Sequence, residues 1–600
     1  MSGFILVIGP QTVERLQALR KSAQRLKVVN KIHTEQVFCN NSLLVCSVNH
    51  AARSAWFENE RASIYLYGAL YDNSSQDGAE AQNVYELYLK DGVGGINELN
   101  GSFVAVFEDK REGAVYVIND RIGSIPVYWH QSPDGSLFVS TETKTIRQCC
   151  GSEFSLSMNN LLSPLCFGSV KLTREPVFEN LHVVQPGHVL RYDKSSKVSQ
   201  SPYFRSRPLP GYDTAAHNNW VENGCEVLRH VINRAIENSG RIALCISGGL
   251  DSRLILACVK PEHYHKILAV SFGMQDNNES RLAKAVTHTL GMPYLDIVLT
   301  PRHFIDYGAT AMETCEGQDL FVQGYLDFVA AILSRDYGIT DVLDGIEVGT
   351  SLGGDYLRSE FYQLKNFDLP KYLFEKFFIH KAKLVDIFCF DAQKHIDYLI
   401  DKVLQEIGDI PTPYDKLDAL YVEYYAREVM RLRHRLLRKR LHVISLTSSN
   451  EYLNLVLTLP GAVKQERAFQ LQMLERLNKK LLDIPYHATM LPLTVPRQDW
   501  ELGKRMIAEQ EALCQRIWFE RKVNVPFPHY YTNFSEWLRS DPAILSYTSD
   551  LLLSSDTQAV GYIVKKEWVD KIINEHRDGA ADHRLSILYL MSLELFLRRI

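Results

Sequence analysis

The chain of 600 residues lacks any run approaching the roughly 20 apolar residues that a bilayer-crossing helix needs. Its first apolar stretch, Phe4 to Ile8, is too short for a secretory signal and has no basic leader. No membrane partner is expected, and the cytoplasm is the expected location. Charge of one sign is also lacking. The 66 lysines and arginines against 71 aspartates and glutamates leave a net charge of -5, which gives no global pull toward nucleic acid. None of the eleven cysteines has the paired short spacing of a zinc site, and the adjacent Cys149 and Cys150 do not readily bridge each other. Reduced thiols are the economical reading. There is no fixed-period repeat and no low-complexity tract. Neither Gly-x-x-x-x-Gly-Lys-Ser/Thr nor Gly-x-Gly-x-x-Gly occurs, which counts against a P-loop NTPase and a dinucleotide-binding Rossmann domain. What is present, 46% hydrophobic and 23% charged residues, is the composition of a folded protein, and the length calls for at least two domains.

Short apolar runs at Phe4-Ile8, Ser42-Val48, Ser63-Leu70, Ser102-Phe107, Ala114-Asn119 and Ser136-Ser140, separated by turn formers such as Pro133-Asp134-Gly135, predict a mostly antiparallel β-rich first domain over 1–205. The breaker-rich stretch 206–219 reads as a linker. From 220 to 600 the rhythm changes. A helix over Val221-Glu237 precedes a strand at Ile242-Ile246, a Gly-rich turn, a helix from about Arg253 and a strand at Ile267-Phe272, the alternation of a parallel α/β sheet. Long amphipathic patterns at Leu417-Arg440, Ala468-Leu482 and Trp568-Arg599 predict a helical C-terminal part.

The Gly-rich turn carries the chemistry. Strand residues Arg241 to Ile246 run into Ser247-Gly248-Gly249-Leu250-Asp251-Ser252, and a helix leaves. Glycines let backbone amides approach a ligand, and the helix N-terminus adds partial positive charge, so the loop suits phosphate oxygens. Asp251 would repel bare phosphate, which points to Mg²⁺ between carboxylate and phosphates.

At these residues the chain resembles the ATP-pyrophosphatase family, whose Ser-Gly-Gly-x-Asp-Ser loop grips the β and γ phosphates of ATP while chemistry occurs at the α phosphate. The resemblance makes Ser247, Gly248, Gly249, Leu250, Asp251 and Ser252 nucleotide-binding residues, and Ser271 and Phe272 the adenine-side segment. The first domain looks like the class II glutaminase domain of asparagine synthetases, an Ntn-type β-sandwich with helices. The likeness is carried by Leu99-Asn100-Gly101-Ser102-Phe103, Asn119-Asp120-Arg121-Ile122-Gly123, Thr141-Glu142-Thr143-Lys144 and Gln185-Pro186-Gly187-His188. It continues at Leu459-Pro460, Ile484-Pro485-Tyr486 and Glu575-His576-Arg577-Asp578-Gly579. The chain therefore resembles asparagine-synthetase-like proteins nearly end to end.

Its departures bear on function. The family's nucleophilic N-terminal cysteine is replaced by Ser2, and Tyr67 and Ala69 replace glutamine-binding residues, so a working glutaminase is not expected. The family's Ser-Gly-Glu-Gly-Ala-Asp segment aligns with Asp344-Gly345-Ile346-Glu347-Val348-Gly349, placing the metal-binding aspartate on Gly349. Either Glu347, Asp344 or Asp355 is then expected to supply a second ligand beside Asp251, with Glu347 first, or magnesium is held mainly by Asp251 and ATP itself; Gly345 is expected to line the nucleotide. His442-Val443-Ile444-Ser445 stands where the family has a substrate-binding glutamate and aspartate. Lys464 and Arg467 match a Lys-x-x-Arg stretch that faces the adenylate, and with Asp251 they form the expected catalytic set. Arg431, Arg433, His434, Arg435, Arg438, Lys439 and Arg440 read first as a solvated basic helix face, with a role near pyrophosphate or an acidic substrate, or contact with nucleic acid, as the alternatives. The expected activity is an AMP- and pyrophosphate-forming amide ligase using ATP and Mg²⁺. A small-molecule, sugar-linked or peptide carboxylate would be joined to ammonia or an amine. A macrolactam- or β-lactam-forming cyclase and a non-catalytic ATP-binding scaffold are the alternatives, and a homodimer is left open.

Overall fold

β-Branched and aromatic residues in short alternating runs draw the first two hundred residues into strands. The computed structural model describes residues 3–9, 35–38, 42–47, 53–72, 79–150, 154–206, 219–354 and 368–600. Ser2, Asp355 and most of the expected linker, 207–218, lie outside them. The strands are β1 (Gly3–Ile8), β2 (Glu35–Phe38), β3 (Ser42–Ser47), β4 (Ser54–Glu58), β5 (Ala62–Leu70), β6 (Gly101–Asp109), β7 (Ala114–Asn119), β8 (Tyr128–Gln131), β9 (Leu137–Ser140), β10 (His182–Val183), β11 (His188–Tyr192) and β12 (Val198–Pro202). They form two six-stranded antiparallel sheets, ordered β10-β8-β9-β1-β3-β2 and β12-β11-β7-β6-β5-β4. The two-residue period sorts β1. Phe4, Leu6 and Ile8 join Tyr65, Tyr67, Val104 and Val117 of the other sheet in one core, while Ile5 and Val7 pack against helical residues such as Leu162 and Phe167.

After residue 219 the sheet is parallel: β13 (Ile242–Cys245), β14 (Ile267–Gly273), β15 (Tyr294–Val298), β16 (Asp341–Asp344) and β17 (His442–Ile444), ordered β15-β14-β13-β16-β17. Along β13, Ile242 and Leu244 enter one core and Ala243 and Cys245 the other, so both faces are covered and the strand is apolar throughout. The helices that matter below are α1 (Trp220–Glu237), α2 (Leu250–Cys258), α3 (Asn278–Leu290), α4 (Ile346–Leu352), α5 (Arg427–Leu437) and α6 (Ala468–Leu477). The chain leaves β13 toward β14 and then returns past it to β16. The strand order therefore reverses between β13 and β16, which opens a crevice at their C-terminal ends.

Two long helices expected from periodicity are interrupted. Leu417-Arg440 is helix Pro413–Tyr421, a π-helical turn at Val422–Ala426, then α5. Trp568-Arg599 breaks at Gly579, whose φ of 82° ends helix Lys566–Asp578 before Arg584–Leu597 begins. Among the described residues no helix is long and apolar enough to cross a membrane.

The expectation of a solvated basic face on α5 is overturned. Arg431, His434, Arg435 and Lys439 are buried. Arg431 donates to Glu428 Oε2 (2.6 and 2.9 Å), Arg433 to Asp344, and Arg435 lies 3.6 Å from Glu316. Lys439 and Arg440 share Asp327, each at 2.7 Å. Arg431 and Arg435 also reach the Tyr128 hydroxyl of the first domain, and Arg438 reaches its Ser124 carbonyl (2.6 Å) and Ser102 Oγ (3.2 Å). The helix is the charged joint between the two halves of the chain.

Candidate functional site

The buried strand β13 delivers Ser247-Gly248-Gly249 to the crevice, and α2 starts at once with Gly249 as its N-cap. The loop is braced by its own hydroxyls. Ser247 N–H donates to Ser252 Oγ (3.2 Å) and Gly249 N–H to Ser247 Oγ (3.1 Å). A Cβ on Gly248 would come within 2.7 Å of Leu282, and one on Gly345 within 3.2 Å of the Ser252 backbone. A side chain at 248 would force Leu282 of α3 to move, and one at 345 would be tight against α2.

Arg253, one residue past the recognised motif, went unnoticed in the sequence. It is fully buried and donates to the carbonyls of Leu481 (2.8 Å), Ile484 (2.8 Å), Gly248 (3.2 Å) and Pro485 (2.9 Å). Burial pulls its guanidinium down to about 10. The only signal was a charged residue inside the otherwise apolar Leu-Ile-Leu face of α2.

Asp251 sits in the first turn of α2, favoured there by the helix dipole. Its Oδ1 accepts from Arg467 Nη1 (2.7 Å) and Gln470 Nε2 (3.0 Å), and Gln470 also holds the Val348 carbonyl (3.1 Å). Arg467 reaches it from a tight corner. Glu466 and Arg467 have φ of 49° and 62°, and their N–H groups donate to the carbonyls of Gly354 (3.3 Å) and Gly353 (2.9 Å). Consecutive left-handed non-glycine residues cost of order 1–3 kcal/mol each and persist where surroundings fix them. A Cβ on Gly349 would lie 2.3 Å from Asp251 Oδ2. The small residue at 349 is therefore what leaves room for the Asp251 carboxylate. Gly349→Ala is expected to displace that carboxylate and reduce nucleotide affinity about tenfold, with a thermal midpoint within about 2 °C of the parent, because only a side-chain end must move. Calorimetric titration with ATP beside thermal unfolding checks both parts.

The other expected site residues have other duties. Glu347 is buried, and its Oε2 accepts from Thr447 N (2.7 Å) and Oγ1 (3.2 Å). Its Oε1 lies 3.7 Å from His434 Nε2, and neither of those two atoms has a hydrogen-bond partner. Burial raises Glu347 to about 7 and lowers His434 to about 3. Glu347 bonds Thr447 and Asp251 bonds Arg467 and Gln470, so each carboxylate has its own partners among the described residues. Asp344 is committed to Arg433; burial pushes its carboxyl up, but the guanidinium prevails and holds it below the usual range. Lys464, expected to face an adenylate, is fully buried against Asp418 (2.8 and 3.1 Å). Ser271 Oγ lies 2.9 Å from Asp296 Oδ1, 3.1 Å from Ser280 Oγ and within hydrogen-bond reach of the Tyr294 hydroxyl, while Phe272 packs on Tyr325. Of the expected catalytic trio, the structure brings Asp251 and Arg467 together and holds Lys464 elsewhere.

Mg²⁺ is held by one or two carboxylates completed by phosphate and water oxygens. Asp251 at the loop, with about a quarter of its side chain exposed, fits a one-carboxylate site of that kind. In the first domain, Tyr67 is buried against Phe4, and the cavity it shares with Arg53, Gly68, Ser102 and Arg438 is about 20 Å³, room for one water.

Comparison with known proteins finds two family matches along the chain. Residues 64–204 match the glutamine amidotransferase domain family and residues 225–346 the asparagine synthase family. Asparagine synthetase [glutamine-hydrolyzing] 2 of Bacillus subtilis is 21% identical over 45% of this chain and 36% of its own length. Asparagine synthetase [glutamine-hydrolyzing] 1 of Lotus japonicus is 23% identical over 47% and 43%. Amidase chry2 of Gibberella zeae is 25% identical over 34% and 32%. The chain thus spans under half the length of these curated relatives. A solved glutamine phosphoribosylpyrophosphate amidotransferase from B. subtilis covers 49% of this chain and 65% of its own, at 12% identity and a TM-score of 0.22.

Proposed function

We propose that this chain, which belongs to the asparagine-synthetase-like family, is an ATP-dependent carbon-nitrogen ligase that forms AMP and pyrophosphate and takes its nitrogen from ammonia or an amine. The observation that carries this reading is the unaltered Ser247–Ser252 loop, seated where the strand order reverses, with Asp251 and Arg467 in contact beside it. Loop amides and the α2 N-terminus hold the β and γ phosphates, which leaves the α phosphate facing an acceptor carboxylate. Arg467 exchanges Asp251 for phosphate when nucleotide enters, and Asp251 would then hold Mg²⁺, which supplies charge neutralisation. Gln470, buried and tied to Val348, keeps the Asp251 side chain in place during that exchange. Alignment of carboxylate and α phosphate does the rest, because the driving force lies in ATP itself.

The replaced nucleophile at Ser2 and the packed Tyr67 support a silent glutaminase domain that serves as a structural partner. The substrate class we favour is a small or sugar-linked carboxylate, with Mg²⁺ and ATP as cofactors.

Two measurements test the reading. Purified protein with ATP, Mg²⁺, ammonium and a panel of carboxylates is expected to yield AMP and pyrophosphate, and labelled pyrophosphate is expected to exchange into ATP only with the right carboxylate. Steady ADP formation that is lost in Asp251→Asn would overturn the adenylation mechanism. In a second assay, glutamine is expected to yield no glutamate. Release at a rate matching ATP consumption, abolished by Ser2→Ala, would show that the hydroxyl has taken the thiol's place.

A further inference from the structure

A pair of imidazoles and a carboxylate sit against the phosphate loop without a part in the scheme above. His487 N–H donates to the Gly248 carbonyl (3.1 Å), and its Cβ lies 3.1 Å from where a Cβ on Gly248 would be. Its ring stacks on His529, centroids 4.3 Å apart and 11° between planes. His487 Nε2 is 2.9 Å from the His529 carbonyl and 3.5 Å from Glu279 Oε1. A carbonyl only accepts, so Nε2 carries the proton. Nδ1 has no hydrogen-bond partner among the described residues, and the side chain keeps 18% of its surface exposed.

The surroundings hold this ring in place. The segment carrying His529 is strapped to the end of β14 and the start of α3, where Met274 N–H donates to the Tyr531 carbonyl and Asn278 N–H to that of Pro528, each at 2.7 Å. Glu279 Oε1 accepts from Tyr531 N–H (3.3 Å). The groups facing His487 are Glu279 from α3, and His529 and Tyr530 from this segment; Arg253 reaches the same Gly248 carbonyl through its side chain. Burial and the neighbouring imidazole hold His529 down at about 4, so it stays neutral. Burial holds the Glu279 carboxyl above its ordinary range, opposed by His487. With Nε2 committed to the His529 carbonyl, Nδ1 is the nitrogen of His487 left to meet a ligand.

We propose that His487 is a substrate-contacting residue, donating from a protonated Nδ1 to the polyphosphate end of the nucleotide in the Ser247–Gly249 loop, with Glu279 as its countercharge. The proton comes from solvent and returns to it when the polyphosphate leaves, so no bond between heavy atoms is made or broken. This rests on the proposal that the loop holds ATP phosphates. Imidazole is the side chain that gains a proton near neutral pH, and an anion beside it favours the charged form.

The test is calorimetric titration of the full-length protein with ATP, pyrophosphate and AMP near pH 7, in buffers of different ionisation enthalpy. Parent protein is expected to take up protons on binding ATP and pyrophosphate but not AMP. His487→Gln keeps a donor for the His529 carbonyl and removes Nδ1. It is expected to lose the uptake and to bind ATP and pyrophosphate about tenfold more weakly, with AMP unchanged. Glu279→Gln, which still accepts from Tyr531, is expected to reduce the uptake without moving the unliganded thermal midpoint. ATP binding by parent without proton uptake, unaltered in His487→Gln, would overturn this inference alone. Failure of the parent to bind ATP would overturn the phosphate-loop reading, and this inference with it.

Discussion

Asp251→Asn is expected to lower ATP turnover at least about 100-fold while leaving the unliganded protein folded and nearly as stable as the parent. The stability half follows from exposure. Side chains of Asp251 and Arg467 both touch solvent, and such pairs are worth roughly 0–1 kcal/mol. An asparagine oxygen still accepts from Gln470. The catalytic half follows from charge. Asp251 lies at the loop in contact with Arg467, and an amide neither balances that guanidinium nor binds a hard divalent cation well. AMP formation and thermal unfolding, measured on the same preparation, separate the two halves. Parental turnover in the variant would remove Asp251 from the site.

Arg431→Met is expected to cost about 3–5 kcal/mol of stability, the range for stripping one partner from a buried ion pair. Glu428 Oε2 accepts both Nε and Nη2 of Arg431, and both residues are buried. Arg427 Nε, 3.4 Å from the other oxygen, compensates only in part. The same guanidinium bonds Gln318 Oε1 (3.0 Å) and the Tyr128 hydroxyl (3.0 Å), so the contact between the two halves of the chain weakens as well. Denaturant unfolding followed by separate probes in each half is expected to show the transitions moving apart. Adding Glu428→Gln to Arg431→Met is expected to restore part of the loss, because no unpaired charge then remains. A loss below about 1 kcal/mol in the single variant would contradict the pairing.

The phosphate loop was legible because its determinants are local. A buried strand, two glycines and a helix start lie within a dozen residues, and the structure places them as the pattern predicts. The parallel sheet and β-rich first half were legible through apolar runs for the same reason. Basic helix α5 was not. A row of arginines spaced for a helix face looks the same whether water or carboxylates surround it, and the partners Glu316, Asp327 and Asp344 are 89 to 119 residues away in sequence. The bond from Thr447 N–H to Glu347, made across 100 residues of sequence, is a contact no spacing announces. The ion pair of Lys464 with Asp418, 46 residues away, is likewise a contact its neighbours in sequence do not announce.

Arg253 sets an order on biosynthesis. The carbonyls that fix its guanidinium beneath the phosphate loop belong to Leu481, Ile484 and Pro485, 228 to 232 residues downstream. A ribosome adding about 5–20 residues per second needs roughly 10–50 s to supply them after Arg253 is made. During that interval the nascent loop has its own serine hydroxyls and no clamp. A fragment that stops short of residue 481 keeps the whole motif and leaves an arginine in an apolar setting with three of its four acceptors missing. Such a piece would bear the signature of the site without the clamp that holds it.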